Sequence, residues 1–164
     1  MTDKVIPILP ERACGECTAC CEGWLSGEAH GHEFQPGRPC FFLQNGCSIY
    51  ETRPEEPCKS YKCVWLKDST LPMWMRPDKS KAIVTERDVE GIKYWDVSEC
   101  GETLKSEVLS WLVMYTIDNQ SNLQYRINSG AFKIGQQNFL EASKSPHCWG
   151  RRVGEWQLLL PHQC

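Results

Sequence analysis

Residues 14–21 read Cys-Gly-Glu-Cys-Thr-Ala-Cys-Cys, and Cys40, Cys47, Cys58 and Cys63 follow, so eight of the eleven cysteines fall within residues 14–63. No other feature constrains the chain as strongly. The same stretch has little periodic hydrophobicity. Gly23, Gly27, Gly31, Gly37, Pro36, Pro39, Pro54 and Pro57 punctuate it. A segment of this kind has little apolar core of its own. Metal ligation can supply the missing stability, because structural zinc contributes on the order of 10 kcal/mol to folding. Thiolates are strong, soft ligands for zinc and for iron–sulfur clusters.

The redox compartment decides between metal and disulfides. The opening Met-Thr-Asp-Lys-Val-Ile-Pro-Ile-Leu-Pro has a short apolar run broken by Pro7 and Pro10, which does not fit a secretory h-region. No stretch approaches the ~18 apolar residues of a transmembrane helix, so no membrane partner is expected. The expected address is the cytoplasm, where thiols stay reduced and abundant cysteine points to metal. An odd number of cysteines and the adjacency of Cys20 and Cys21 also count against a disulfide framework. The formal charge of −3, from 18 basic and 21 acidic residues, is too mild to attract nucleic-acid phosphates.

The 164 residues suit one ordinary domain, or one with a small appendage. We read residues 1–13 as an extended lead-in, 14–66 as a loop-rich cysteine module and 67–164 as a small α+β portion. The two larger parts are expected to pack as one compact α+β unit through an apolar connector, Leu71-Pro72-Met73-Trp74-Met75-Arg76-Pro77. Lys81–Arg87 and Ile92–Val97 are rich in strand formers, and Asp88-Val89-Glu90-Gly91 between them predicts a hairpin with a four-residue loop. Leu104, Val108, Leu112 and Tyr115 recur at helical spacing and predict a helix over about residues 102–118. Leu123–Asn128 reads as a strand broken by Ser129-Gly130, Gln136–Ser143 as a short helix, and Glu155–Leu160 as a last strand.

Cys14, Cys17 and Cys20 are spaced Cys-x2-Cys-x2-Cys, which lets a tight loop turn several thiolates toward one centre. Zinc sites more often use separate pairs, so the threefold repeat leans toward an iron–sulfur cluster. Cys21 is the awkward member, since consecutive residues seldom ligate one tetrahedral ion. Cys20 and Cys21 either face different centres or bridge a polynuclear site. Eight thiolates suffice for two four-thiolate sites. Two zinc ions or two 4Fe–4S clusters would each leave a net charge of about −4. Arg12, Arg38, Arg53, Lys59 and Lys62 lie close enough in sequence to offset it. Asn45-Gly46 predicts a turn that folds the chain back between Cys40 and Cys47. Phe41, Phe42, Tyr50, Tyr61 and Trp65 are candidates to shield a site from water.

The order Cys-x2-Cys-x2-Cys-Cys, Pro39-Cys40-Phe41-Phe42-Leu43, Asn45-Gly46-Cys47-Ser48-Ile49-Tyr50, Thr52-Arg53-Pro54 and a final cysteine pair resembles the cysteine-cluster family described as zinc- or iron-chelating (YkgJ-like). The resemblance covers about residues 14–85, roughly half the chain. The family's eight cysteines fall on Cys14, Cys17, Cys20, Cys21, Cys40, Cys47, Cys58 and Cys63. Met75-Arg76-Pro77-Asp78 also resembles the segment just after the cluster in relatives. The resemblance implies chelation of zinc or iron by these thiolates.

Several further residues read as ordinary structure. His30-Gly31-His32 lies in a Gly/Glu-rich loop and reads as solvated. Cys100, Cys148 and Cys164 lie outside the pattern and read as free thiols. Trp111, Trp149 and Trp156 read as packing residues. His147-Cys148 and His162-Gln163-Cys164 are too short to specify a second soft site. No phosphate loop, nucleotide fingerprint or Gly-x-Ser-x-Gly nucleophile occurs in the sequence.

The sequence therefore points to a cytoplasmic protein that holds zinc or iron, including an iron–sulfur cluster, through eight thiolates. Its role would be chelation, metal delivery or redox work. The alternative is a structural-zinc module whose function is binding a protein partner. An enzyme ranks third. Some relatives of the motif appear alongside methyl-transfer chemistry, but this chain carries no matching cofactor fingerprint.

Overall fold

A computed structural model of the protein describes residues 11–127, 130–144, 150–153 and 156–159. The cysteine-rich part is built from turns and two small hairpins. Strands β1 (Gly27–Ala29) and β2 (His32–Phe34) pair across a tight turn at His30-Gly31, where both residues have positive φ. The two-residue strands β3 (Leu43–Gln44) and β4 (Gly46–Cys47) pair antiparallel with Leu43 opposite Cys47, so Asn45-Gly46 reverses the chain as its composition predicts. Two single-turn helices, α1 (Val64–Lys67) and α2 (Pro77–Ser80), frame the connector.

The rest is one six-stranded sheet with two helices. In chain order it runs β5 (Ala82–Val89), β6 (Ile92–Glu99), α3 (Ser106–Asp118), β7 (Leu123–Ile127), β8 (Gly130–Gly135), α4 (Gln137–Ala142), β9 (Gly150–Val153) and β10 (Trp156–Leu159). The spatial order is β5-β6-β7-β8-β10-β9. Of the neighbouring pairs only β6 and β7 are parallel, joined by the crossover through α3.

Strand alternation sorts the side chains of this sheet. Val84 opposes Val97, and Trp95 aligns with Leu123, which in turn opposes Ile134. These residues pack with Val108 and Leu112 of α3 into the main core. Val108, Leu112 and Thr116 recur every four residues and are the buried stripe of α3. On the opposite face Phe139 and Leu140 of α4 pack against Val89, Ile92 and Tyr94. Asp96 also lies on that face, 4% exposed. It accepts hydrogen bonds from Gln124 Nε2 at 3.0 Å and Arg126 Nη1 at 3.2 Å, with Arg87 Nε at 3.4 Å.

The cysteine module sits on the edge strand β5. Cys63, Val64 and Trp65 enter the main core with Ala82 and Val84, while Tyr61 hydrogen-bonds Thr85 Oγ1 at 2.8 Å. Ile83, turned the other way, packs with Ala19 and Cys100. The module thus covers an edge that would otherwise present unpaired backbone. Leu71, Met75 and Pro77 are buried, so the connector is packed, and the chain forms the single compact α+β unit expected from its sequence.

Two elements depart from expectation. The β5–β6 connection is a two-residue turn at Glu90-Gly91, both with positive φ, because Asp88 and Val89 continue the ladder. Helix α3 begins at Ser106. Gly101, with φ +85°, turns the chain out of β6, and Glu99 Oε1 holds the Leu104 N–H at 2.8 Å. Strands β8 and β9 carry no sequence expectation. Asn128, Ser129, Glu155 and Leu160, as well as Cys148, Cys164 and the histidines beside them, lie outside the described residues. Among the described residues, no helix is long and apolar enough to cross a membrane.

Candidate metal centre

All eight cysteines singled out from the sequence, Cys14, Cys17, Cys20, Cys21, Cys40, Cys47, Cys58 and Cys63, line one cavity of about 150 Å³. Cys100 does not line it. Its buried thiol donates to the Pro77 carbonyl at 3.3 Å and packs beside Ala19 and Ile83. The structure therefore gathers the matched thiols and leaves out the other described cysteine. All nine described cysteines are free thiols.

The local backbone explains how these distant positions meet. A kinked turn at Cys20–Trp24 carries Gly23 at φ +85°. A Cβ there would stand 2.7 Å from the Gln35 carbonyl oxygen, so only glycine lets this turn lie against Gln35–Arg38. That approach sets the Cys40 N–H on the Cys21 carbonyl at 2.8 Å. The β3–β4 hairpin then returns Cys47 toward the same side. Gly27, whose missing Cβ would meet Phe34 and Pro57 within 3 Å, lets the loop bearing Cys58 close on β1. Cys14 and Cys17 are joined by a turn in which the Cys17 N–H bonds the Cys14 carbonyl at 2.9 Å.

Neighbours differ across the cavity. Burial, then the charges of Cys63, Cys21, Cys17 and Cys14, hold the Cys20 thiol far above its ordinary pKa. Cys21 is pushed up to about 12 by burial and by Cys40, Cys47 and Cys58. Burial also raises Cys17, Cys58 and Cys63. The backbone N–H groups of Ala19 and Asp78 oppose the rise at Cys17, and those of Leu66 and Trp65 oppose it at Cys63. As free thiols these groups are held neutral near pH 7.

Among the described residues, Arg53 is the one charged side chain lining the cavity. Its guanidinium lies 3.7 Å above the Tyr50 ring, Nε donates to the Tyr50 carbonyl at 2.8 Å, and its charge acts to lower Cys58. The other cations considered from sequence do not line the cavity. Arg12 is bound to the carbonyls of Trp65, Asp68, Ser69 and Leu71, and Arg38 stands 3.9 Å from Glu33 at the surface. Tyr50, Tyr61 and Trp65 form part of the wall, as expected of shielding residues. Phe41 and Phe42 do not. Phe41 is 66% exposed and stacks on His32, so the aromatic pair packs with the hairpin histidines instead. His30 and His32 also stay outside the cavity. Sequence reasoning missed Leu25, Ala29, Phe34 and Ile49 in the wall. Ile49 lies inside the quoted motif beside Tyr50, whereas Leu25, Ala29 and Phe34 arrive through the β1–β2 hairpin and the chain entering it, which carry no motif.

Two four-coordinate thiolate sites need eight such donors in a shielded pocket, and the donor set fits zinc or an iron–sulfur cluster. Among the described residues, no group of three or more His, Cys, Asp or Glu side chains is set as ligands around a common point. No family model, no curated protein and no solved structure matches this chain.

Proposed function

We propose that this is a metal-binding protein of the cytoplasm whose eight cavity thiols hold zinc or iron, including an iron–sulfur cluster, for chelation, delivery or redox work. One observation carries the reading. Every cysteine of the Cys-x2-Cys-x2-Cys-Cys pattern and its four followers faces one cavity, whereas Cys100 faces another part of the core. The motif's resemblance to the zinc- or iron-chelating YkgJ-like family agrees with it. On this reading the eight thiols would hold the metal as thiolates, giving up their protons on ligation. The chain's own residues do the rest. Tyr50, Tyr61 and Trp65 keep water from the sulfurs, Arg53 offsets part of the thiolate charge, and backbone N–H groups at Cys17 and Cys63 favour the ionised sulfur. Zinc held by four thiolates would supply folding stability, and an iron–sulfur cluster would supply electron transfer.

A second reading, a structural-zinc module that binds a protein partner, is favoured by a separate observation. Met73, Trp74 and Met114 are exposed large apolar side chains, and Trp74 meets Trp111 edge-to-face at 5.5 Å. Metal and acid-labile sulfide analysis of protein purified without oxygen, with a visible spectrum, separates the two. Iron with sulfide and a thiolate–iron absorption band supports the cluster form of the first reading. Colourless protein with zinc and no sulfide supports a chelating or structural role, and zinc that does not exchange with added metal supports the second reading. Neither metal at stoichiometric level overturns both.

A further inference from the structure

Cys20 and Cys21 are joined by one peptide bond yet pack in different surroundings. Cys21 lies with Cys40 and Cys58 around Ala29 and Phe34, a small cluster made wholly of hairpins and loops. The Cys40 N–H on the Cys21 carbonyl fixes this pairing, and the β3–β4 turn presents Cys47 to it. On the other side, Cys17 packs with Ala19 against Ile83 of the sheet, and Cys63 belongs to the main core. Cys14 joins the second group through the Cys17 N–H on its carbonyl at 2.9 Å, and Cys20 has Cys63, Cys17 and Cys14 as neighbours where Cys21 has Cys40, Cys47 and Cys58, so each group contains four of the cavity's thiols. Two adjacent residues do not comfortably ligate one tetrahedral ion, and a division between them removes that difficulty.

We propose that the eight thiols form two separate four-thiolate metal sites, Cys14, Cys17, Cys20 and Cys63 in one and Cys21, Cys40, Cys47 and Cys58 in the other, with the Cys20–Cys21 peptide as the only direct link between ligands. The inference rests on the metal-binding reading above and adds the stoichiometry and the partition of ligands. It also makes the sites unequal. The first is tied to the sheet through Cys63 and Cys17. The second is held by short hairpins, so its metal is the exchangeable one.

The test is a Cd²⁺ titration without oxygen, read by native mass spectrometry, on the full chain and on Cys47→Ala, Cys58→Ala and Cys20→Ala. The full chain should take two ions. Cys47→Ala and Cys58→Ala, which leave the sheet-bound group intact, should each keep one. Cys20→Ala should also keep one, and if that chain does not fold, the two hairpin variants still decide the matter. Cadmium NMR of the loaded full chain should show two resonances without metal–metal coupling. Hairpin variants that lose both ions or keep both, or coupled cadmium resonances from bridging thiolates, would overturn the partition while leaving the metal-binding reading in place. A full chain that binds no Cd²⁺ would overturn that reading itself.

Discussion

Arg12 stands two residues before Cys14, a position that suggests a counter-charge for the thiolates. Folding uses it differently. Its two terminal nitrogens donate to the carbonyls of Trp65, Asp68, Ser69 and Leu71 at 2.5–3.0 Å, and the guanidinium carbon lies 4.5 Å over the Trp65 ring. One planar cation therefore satisfies the end of α1 and the loop after it. Arg12→Ala should cost about 2–3 kcal/mol, since several part-buried carbonyls lose a charged donor together. Arg12→Lys should recover less than half, because an ammonium has no fork to span four acceptors. Urea midpoints of the parent and variant proteins measure both. A lysine variant as stable as the parent would show that charge alone, and not the fork, holds the connector. No local pattern distinguishes Arg12 from Arg53 as the cation at the thiols. That choice depends on where the chain returns fifty residues later.

At the scale of elements, the β5–β6 hairpin turns on Glu90 at φ +53° and Gly91 at φ +81°. Glutamate has no means to ease a left-handed backbone, whereas Asn-Gly is the preferred pair in such turns. Glu90 is exposed, so Glu90→Asn should stabilise the protein by about 0.5 kcal/mol, or roughly 1–2 °C in Tm. An unchanged or lower Tm would mean that the turn is not strained at that residue. The sequence made this hairpin legible because its strands are rich in strand formers, but not its length, because Asp88 is a common turn residue and set the expected loop two residues early. Helix α3 was readable from Val108 and Leu112, whose spacing is set by the helix itself. Strand β8 was not. Its Gly130-Ala-Phe-Lys-Ile-Gly135 is short and flanked by glycines, and it is a strand because Phe132 and Ile134 oppose Tyr125 and Leu123. The cavity divides along the same line. The thiols that belong to it were readable from spacing. Which of them are neighbours was not, because Cys21 meets Cys40, Cys47 and Cys58 only through two hairpins and a glycine contact.

The whole molecule joins a part with a large apolar core to one with little apolar core of its own. Among the described residues, fourteen buried side chains form the main core, spread over the sheet, α3, Leu104 just before it and the segment from Cys63 to Met75. The loops before Cys63 have only the small cluster of Ala29, Phe34 and Cys40, and the group of Ala19, Ile83 and Cys100 that they share with the sheet. If metal supplies the missing stability, its removal should act unevenly. Hydrogen exchange followed by mass spectrometry, before and after treatment with a strong chelator under reducing conditions, would show this directly. Amides between about residues 14 and 58 should lose nearly all protection, as local opening there approaches zero cost. Those of β5, β6, β7 and α3 should keep theirs, and the boundary should fall near Cys63, where the module enters the core. Protection lost evenly across the sheet would mean that the thiols hold up the entire fold. Protection unchanged in residues 14–58 would mean that hairpins and packing suffice without metal, and that the clustered thiols serve chemistry alone.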